Sequence, residues 1–300
     1  MAQATTVASP IYAPAPSLAQ RQLRWLMRFI RTQPLGVLGA VIILLIVLAA
    51  IFASTLTSKD PVATSTDILQ APSSEHYFGT TRQGKDVYAR ILYGARVSLQ
   101  VGLFTVLLSV IGGTVLALVA GYFGGLADQV ISRIADVLIA FPSILFALTL
   151  ATALGKGLTT VVVAISIIFT PLIMRIMRGA VLQQRGAQYV EAARVLGATE
   201  WRIIFRHILP NLMGIAIITA SSTLPAAILT ESGLSFLGIG VALGEPSWGG
   251  DLSGDSRQFF QIAWWMAIFP GAALSLTVLA FNLLGDSLRD TLDPRLRGVR

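Results

Sequence analysis

The amino-acid sequence predicts an all-α, polytopic membrane protein with about six transmembrane helices. Hydrophobic residues make up 54% of the chain and charged residues only 12%, whereas soluble domains carry about 25% charged residues. The mean hydropathy is +0.73. Uncharged apolar segments also follow one another along the chain with short polar connections, which favours one membrane domain over several soluble ones.

Each predicted span is long enough to cross the hydrocarbon of a bilayer, which takes about 20 apolar residues. The predicted spans are Leu35–Ser54, Val97–Val119, Asp136–Leu154, Leu158–Met177, Ile208–Thr230 and Ile262–Leu284. The first is too long for the apolar region of a signal peptide, and further spans follow it. The predicted regions are an N-terminal tail (1–33), the first span with its loop (34–96), a five-helix core (97–286) with a polar loop at 179–209, and a C-terminal tail (287–300).

The distribution of basic residues predicts the orientation of these spans. With six spans, most of the 22 Lys and Arg residues lie on one side, among them the cluster Arg21, Arg24, Arg28 and Arg31. Because cytoplasmic loops carry the excess of Lys and Arg, both termini and the loop at 179–209 are expected in the cytoplasm. A five-span topology would export either the N-terminal cluster or that loop, and is rejected.

A charged segment with long uncharged apolar runs on both sides is Tyr189–Pro210, YVEAARVLGATEWRIIFRHILP, which we call the knob. Glu191 near the start of a first short helix suits the helix dipole. Gly197 is expected to end that helix in a left-handed conformation. A second amphipathic turn then leads to Pro210, which is tolerated in a first helical turn. The pattern predicts two short helices that fit a groove on a partner.

A hydroxyl-rich stretch, Thr219–Pro225, lies within the fifth predicted span. Because polar groups facing lipid are costly, this face is expected to line either a helix interface or a water-filled passage. The candidates for the wall and outer gate of such a passage are Ser221, Ser222, Thr223, Pro225 and Glu231.

Several kinds of chemistry are not predicted. There is no Cys, so disulfides and thiolate metal sites are excluded. The net charge of +7 comes from scattered Arg residues that the membrane orientation explains, so no nucleic-acid partner is expected. Gly155-Lys156-Gly157 lacks the Gly at 150 and the Ser or Thr at 157 that a phosphate loop needs. His76 and His207 fall on opposite sides of the membrane. The chain is predicted to be no enzyme and to hold no cofactor or metal.

The knob carries a recognisable motif. Glu191-Ala192-Ala193, three residues, Gly197, nine residues and His207-Ile208-Leu209-Pro210 resemble the EAA loop of ABC-importer permeases, with His207 in place of the usual Ile. In that family the loop docks on a cytoplasmic ATPase subunit. The resemblance implies ATPase-coupling roles for Tyr189, Glu191, Ala192, Ala193, Arg194, Gly197 and Ala198.

Residues 76–99, HYFGTTRQGKDVYARILYGARVSL, resemble the segment after the first span in the C-type subunit of dipeptide/oligopeptide permeases. They depart from the family pattern at Thr81, Lys85 and Ala89. Asp86 and Arg90 stand four residues apart and are predicted to pair on a short helix. A structural role for this segment and a contact with an external binding protein both stay open.

Two later motifs complete the resemblance: Glu231–Gly240 with Pro246–Gly249, and Asn282–Arg295. With four motifs in order over 76–295, the chain is identified as a member of this family. The resemblance implies a type I ABC-importer permease fold in the inner or plasma membrane of a prokaryote. It also implies a second homologous permease, two ATPases that hold ATP and Mg, an extracytoplasmic substrate-binding protein and surrounding lipid. The implied substrates are di- or oligopeptides, with nickel chelates, glutathione and oligosaccharides as alternatives.

Two other functions are weighed against this one. A self-sufficient secondary transporter needs a coupling-ion site near the middle of the bilayer, and the central parts of the six predicted spans lack Asp and Glu. A membrane scaffold without transport leaves both the knob and the hydroxyl-rich stretch without a role.

Overall fold

A computed structural model of the protein describes residues 27, 29–241 and 244–292. Most of both predicted tails, including Arg21, Arg24, Arg28 and Asp293, lies outside them. The helices are α1 (Pro34–Ile51), α2 (Ala53–Leu56), α3 (Val87–Leu118), α4 (Gly125–Ala140), α5 (Ser143–Leu154), α6 (Leu158–Arg185), α7 (Gln188–Val195), α8 (Glu200–Ile203), α9 (Leu209–Phe236), α10 (Trp248–Asp251), α11 (Asp255–Gln258) and α12 (Trp265–Leu292). Two π-helical turns extend α3 at Val119–Phe123 and precede α9 at Ile204–Ile208.

Five helices of the described region are long and apolar enough to cross a membrane: α1, α3 with its π turn, α6, the continuous helix Glu200–Phe236, and α12. Helices α4 and α5 make a sixth crossing if the two count as one span. The predicted all-α membrane fold with about six spans is confirmed.

The third predicted span, Asp136–Leu154, is wrong as a single helix. The axes of α4 and α5 meet at 97°, and Phe141 between them is extended, with φ −78° and ψ 139°. The physical cause is Pro142, because the proline ring disfavours the helical conformation at the preceding residue. Helix α4 is held against α6 by Arg178, whose Nε and Nη2 donate to the Asp128 carboxylate at 2.5 and 2.6 Å.

Helix α3 begins ten residues before the predicted span, at Val87. Asp86 caps its start, since the carboxylate accepts a hydrogen bond from the Ala89 N–H at 3.0 Å. With 32 residues, α3 is about 48 Å long at 1.5 Å per residue. Its two ends therefore lie at opposite faces of the bundle.

The centre of the bundle is formed by α3, α6 and α9, and α1 lies against α12 at its side. Small residues let these helices approach closely. A Cβ at Gly113 of α3 would come within 2.8 Å of the Ile173 side chain on α6. A Cβ at Gly39 of α1 would come within 2.5 Å of the Ala280 carbonyl on α12.

The predicted ion pair between Asp86 and Arg90 is wrong. Arg90 pairs with Asp251, Nη2 to Oδ1 at 2.5 Å, and Asp86 instead contacts His76 at 2.8 Å and Lys59 at 3.2 Å. The predicted pair does not form because Asp86 caps α3. Its carboxylate bonds the Ala89 N–H at the start of the helix and does not lie along the helix surface toward Arg90. Arg90 thereby joins the start of α3 to α10.

Candidate functional site

The knob connects α6 to α9 at the end of the bundle where α3 finishes. Its two short helices, α7 and α8, match the two helices predicted from the sequence. The structure differs after α8, because no new helix starts at Pro210. Instead the chain stays helical from Glu200 to Phe236 through the π turn Ile204–Ile208. A π turn widens the helix just before a proline that cannot donate a backbone hydrogen bond.

The turn between α7 and α8 is closed by Gly197. Its φ is +82°, and its N–H donates to the Arg194 carbonyl at 3.0 Å, while the Ala198 N–H donates to the Ala193 carbonyl at 3.0 Å. This pair of bonds is the usual end of a helix capped by a left-handed glycine, so the predicted end of the first helix is confirmed. Thr199 then caps α8 by accepting from the Arg202 N–H at 3.4 Å.

The base of the knob is buried in the bundle. Val190 of α7 and Ile203 of α8 have no exposed surface, and the π turn adds Ile204 and Ile208. These side chains join a core cluster with Tyr122, Met177 and Val181, among others. Burial of each such side chain contributes about 1.5–3 kcal/mol. The knob is therefore anchored firmly to α3 and α6.

The tip of the knob is exposed and apolar. Val195 is 83% exposed and Leu196 87% exposed, the highest fractions among the large hydrophobic side chains of the described residues. Trp201 of α8 and Phe205 of the π turn are also exposed, and their rings stack with centroids 5.9 Å apart. An exposed patch of this kind marks an interaction surface.

Polar contacts set the angle between the two knob helices. The Tyr122 hydroxyl, at the end of α3, hydrogen-bonds the Glu200 carboxylate and accepts from Arg194 at 3.5 Å. Arg194 also lies 3.8 Å from Glu200 across the turn. The hydrogen bond to Tyr122 is the largest cause that raises the pKa of Arg194 above its ordinary value. The three side chains link the tip to the end of a membrane helix.

The residues predicted to couple to the ATPase divide into two groups. Tyr189, Glu191, Ala192, Arg194 and Gly197 are exposed, whereas Ala193 and Ala198 are half-buried against the base. The motif did not point to the exposed apolar side chains of Val195 and Leu196 at the tip. The available signal was the pair of large apolar residues directly before the capping glycine.

The five residues predicted to line a passage lie along α9. Ser222 is exposed, Ser221 is half-buried, and Thr223 and Pro225 are buried. The three hydroxyl groups donate to carbonyls one turn earlier in the same helix, for example Thr223 to Thr219 at 2.7 Å. Of the five, only Ser222 is exposed in this conformation.

Glu231 lies inside α9, five residues before its end, whereas the predicted span stopped at Thr230. Its side chain is fully buried. The carboxylate accepts hydrogen bonds from Ser98 at 3.2 Å, Ser232 at 3.3 Å and Ser235 at 2.7 Å. A buried carboxyl group needs such donors, and Ser98 belongs to α3. Glu231 thus joins two membrane helices.

Comparison with known protein families identifies the family to which this chain belongs. Residues 113–298 match the binding-protein-dependent transport system inner membrane component, and residues 22–72 match the N-terminal transmembrane domain of oligopeptide transport permease C. The chain belongs to this family of ABC-transporter permeases.

The permease is similar to several proteins that are named after the transport systems to which they belong. It is 42% identical to the dipeptide transport system permease protein DppC of Alkalihalophilus pseudofirmus, over 98% of this chain and 99% of that one. It is 43% identical to the glutathione transport system permease protein GsiD of Pectobacterium atrosepticum, over 90% of each chain. It is 40% identical to the oligopeptide transport system permease protein OppC of Bacillus subtilis, over 91% of this chain and 89% of that one.

The fold agrees with that assignment. A structure of the MetNI methionine ABC transporter, in an inward-facing conformation, superimposes with a TM-score of 0.50 and 20% identity. The match covers 67% of this permease and 93% of the MetNI chain. The predicted ABC-importer permease fold and the resemblance to peptide permeases are confirmed, and the protein is a multi-pass membrane permease of the bacterial ABC-transporter family.

Proposed function

We propose that this permease forms half of the membrane pathway of an ATP-driven importer of di- or oligopeptides, and that the knob docks on a cytoplasmic ATPase subunit. The observation that carries the proposal is the contrast within the knob. Val190 and Ile203 at its base are fully buried, whereas Val195 and Leu196 at its tip are the most exposed large apolar side chains described. A rigidly anchored apolar tip can transmit movement between a partner and the membrane helices.

The proposed mechanism is alternating access. ATP binding, with Mg²⁺, occurs on two separate ATPase subunits and brings them together. The knobs of this chain and of a second, homologous permease are then drawn together, and the bundle opens toward an extracytoplasmic substrate-binding protein. Both termini and the knob lie in the cytoplasm in this scheme, in keeping with the Lys and Arg distribution. Lipid surrounds the exposed apolar faces, and no nucleic acid takes part.

The peptide substrate is proposed from the relatives, which include dipeptide and oligopeptide permeases. The glutathione system shows that related chains serve other small peptides. Ser221, Ser222, Thr223, Pro225 and Glu231 are proposed to contribute to the passage and its outer gate. Ser222 supports this because its side chain is exposed on a membrane helix, where a polar group is expected to face water or a partner.

The docking proposal is tested with the transporter reconstituted in proteoliposomes with its ATPases and binding protein. Leu196→Asp places a charge at the centre of the tip without touching the buried base. We expect ATP-dependent uptake of a labelled dipeptide to fall at least tenfold, and ATPase subunits to dissociate from the permease during size-exclusion chromatography.

The matched control is Ile68→Asp, because Ile68 is also exposed, at 55%, but lies in the loop before α3, at the other end of the bundle. We expect this variant to keep both uptake and subunit association. Full uptake by Leu196→Asp would disprove docking through the tip.

A further inference from the structure

A polar cleft lies at the end of the bundle opposite the knob. Its volume is about 210 Å³, and its walls come from the loop before α3, from the segment after α9 and from α10. Lys85, Arg90, Glu245 and Asp251 are among the residues that line it. In the proposed orientation this cleft opens to the extracytoplasmic side, where substrate arrives.

Arg90 makes the walls of the cleft rigid. Its Nη1 donates to the Pro61 carbonyl at 2.9 Å and to the Gly244 carbonyl at 3.3 Å, and its Nη2 donates to the Glu245 carbonyl at 3.3 Å. Its Nε donates to the Asp251 carboxylate at 2.7 Å. One buried guanidinium thus ties together four segments, so the position of Glu245 is set before any ligand arrives. Such preorganisation lowers the cost of binding.

Two charged side chains of the cleft are left without partners. Arg90 pairs with Asp251, and Arg82 near the rim pairs with Asp255 at 3.6 Å. Within the part of the chain that the structure describes, neither the Lys85 ammonium nor the Glu245 carboxylate forms a side-chain hydrogen bond or an ion pair. The cleft therefore offers one cation and one anion that do not pair with each other or with another described side chain.

The surroundings of each free charge favour a ligand group of the opposite sign. Burial, followed by repulsion from Arg90, lowers the pKa of Lys85, and Asp251 opposes this shift. A ligand carboxylate would relieve the destabilised ammonium. On the acidic side, Asp251 uses only Oδ1 for Arg90, and its Oδ2 is buried without a partner. Because Arg90 neutralises the Asp251 carboxylate, the charge available to attract a ligand ammonium is that of Glu245.

The size of the cleft narrows the ligand further. Pockets for drug-sized ligands are about 300–1,000 Å³, so a cleft of about 210 Å³ suits a smaller molecule. We propose that the cleft binds a short zwitterionic peptide of dipeptide size, with its C-terminal carboxylate at Lys85 and its N-terminal ammonium at Glu245. This inference rests on the proposed function, since it identifies the substrate as a peptide with free ends and gives it a receiving site on the permease.

Binding is measured on the intact permease–ATPase complex in lipid nanodiscs without the binding protein, by saturation-transfer NMR with alanyl-alanine as the probe. We expect the free dipeptide to bind, and N-acetyl-alanyl-alanine amide, which lacks both charges, to bind at least tenfold more weakly. Lys85→Met and Glu245→Gln should each weaken binding of the free dipeptide at least tenfold. Lys85→Arg keeps the charge and should restore binding to within about threefold of the native protein.

The matched control is Lys156→Met, because Lys156 is an exposed lysine outside the cleft, in the loop between α5 and α6, and should leave binding unchanged. Equal binding of the free and blocked dipeptides, no binding at all, or unchanged binding by Lys85→Met would overturn the inference. The Leu196→Asp variant separates the two proposals. If the native permease couples ATP hydrolysis to uptake but does not bind the dipeptide, only the proposal for the cleft is refuted. If Leu196→Asp takes up the dipeptide normally, only the proposal that the knob docks on the ATPase is refuted.

Discussion

Ser98 and Glu231 join α3 to α9 through a hydrogen bond of 3.2 Å between two side chains that have no exposed surface. The two residues are 133 positions apart in the chain. Because α3 and α9 also run to the knob at their other ends, this bond lies in a pair of helices that connects the cleft end of the bundle to the proposed ATPase contact.

Glu231→Leu is expected to destabilise the permease. The substitution removes the acceptor of three buried serine hydroxyl groups, and each buried polar group left unsatisfied costs about 1–3 kcal/mol. We expect a lower midpoint of thermal unfolding in detergent. Glu231→Gln keeps an acceptor oxygen and should lose less than half as much, while Ser222→Ala, at an exposed site of the same helix, should behave as the native protein. A native midpoint for Glu231→Leu would contradict this role.

Gly197→Val is expected to uncouple ATP hydrolysis from uptake while leaving membrane insertion intact. Nothing lies within 4 Å of a Cβ at this position, so the effect comes from the backbone. A left-handed conformation costs an L-residue about 1–2 kcal/mol, and more for a β-branched one. Gly186→Val at φ −85° is the control. Gly197→Asn should be milder, because asparagine tolerates this conformation. ATPase and uptake rates in proteoliposomes provide the measurement, and native coupling by Gly197→Val would disprove the role of the cap.

Arg90→Gln is expected to cost about 3–5 kcal/mol, because it leaves Asp251 as a buried charge without a partner. Arg82→Gln is the control: its pair with Asp255 is largely exposed, and such pairs contribute about 0–1 kcal/mol. Thermal unfolding at neutral pH compares the two variants. Equal unfolding midpoints would show that the Arg90 pair does not hold the outer loops together.

The same variant should respond to pH in a specific direction. Burial raises the pKa of Asp251, and Arg90 is the main opposing cause, so loss of Arg90 raises this pKa further. A raised pKa in the folded state means that folding takes up a proton, and stability is then greater at low pH and lost as pH rises through that pKa. The difference in unfolding midpoint between Arg90→Gln and the native protein should therefore shrink from pH 7.5 to pH 5. A constant or growing difference would contradict this account.

Gly113→Ala is expected to disturb the contact between α3 and α6. The new Cβ would meet Ile173 at 2.8 Å and the Met174 backbone nitrogen at 3.0 Å, and overpacking of this kind costs about 1–3 kcal/mol. Gly112→Ala next to it is the control, since its nearest contact would be an ordinary 3.6 Å to Thr170. The midpoint of thermal unfolding should fall for Gly113→Ala and stay at the native value for Gly112→Ala. Equal midpoints would show that the two helices can separate at little cost.

The elements of this fold could largely be predicted because hydropathy and helix capping depend on near neighbours in the chain. The knob shows this clearly, since Gly197 ends the first helix as its position predicted. The errors arose where neighbours were a poor guide. Pro142 breaks Asp136–Leu154 into two helices, and an Asp86 cap starts α3 ten residues early. Pro142 and Asp86 are both visible in the sequence, but the predicted bounds followed the runs of apolar residues instead.

The sequence by itself determined the membrane class, the approximate spans, the position of the knob and the family resemblance, because each is written in a continuous stretch of residues. Only the tertiary structure decided which polar groups meet. Arg90 has Asp86 four residues away but pairs with Asp251, which is 161 residues away, and Glu231 finds Ser98 on another helix. A buried charge takes the partner that packing brings within reach, and packing depends on the whole bundle.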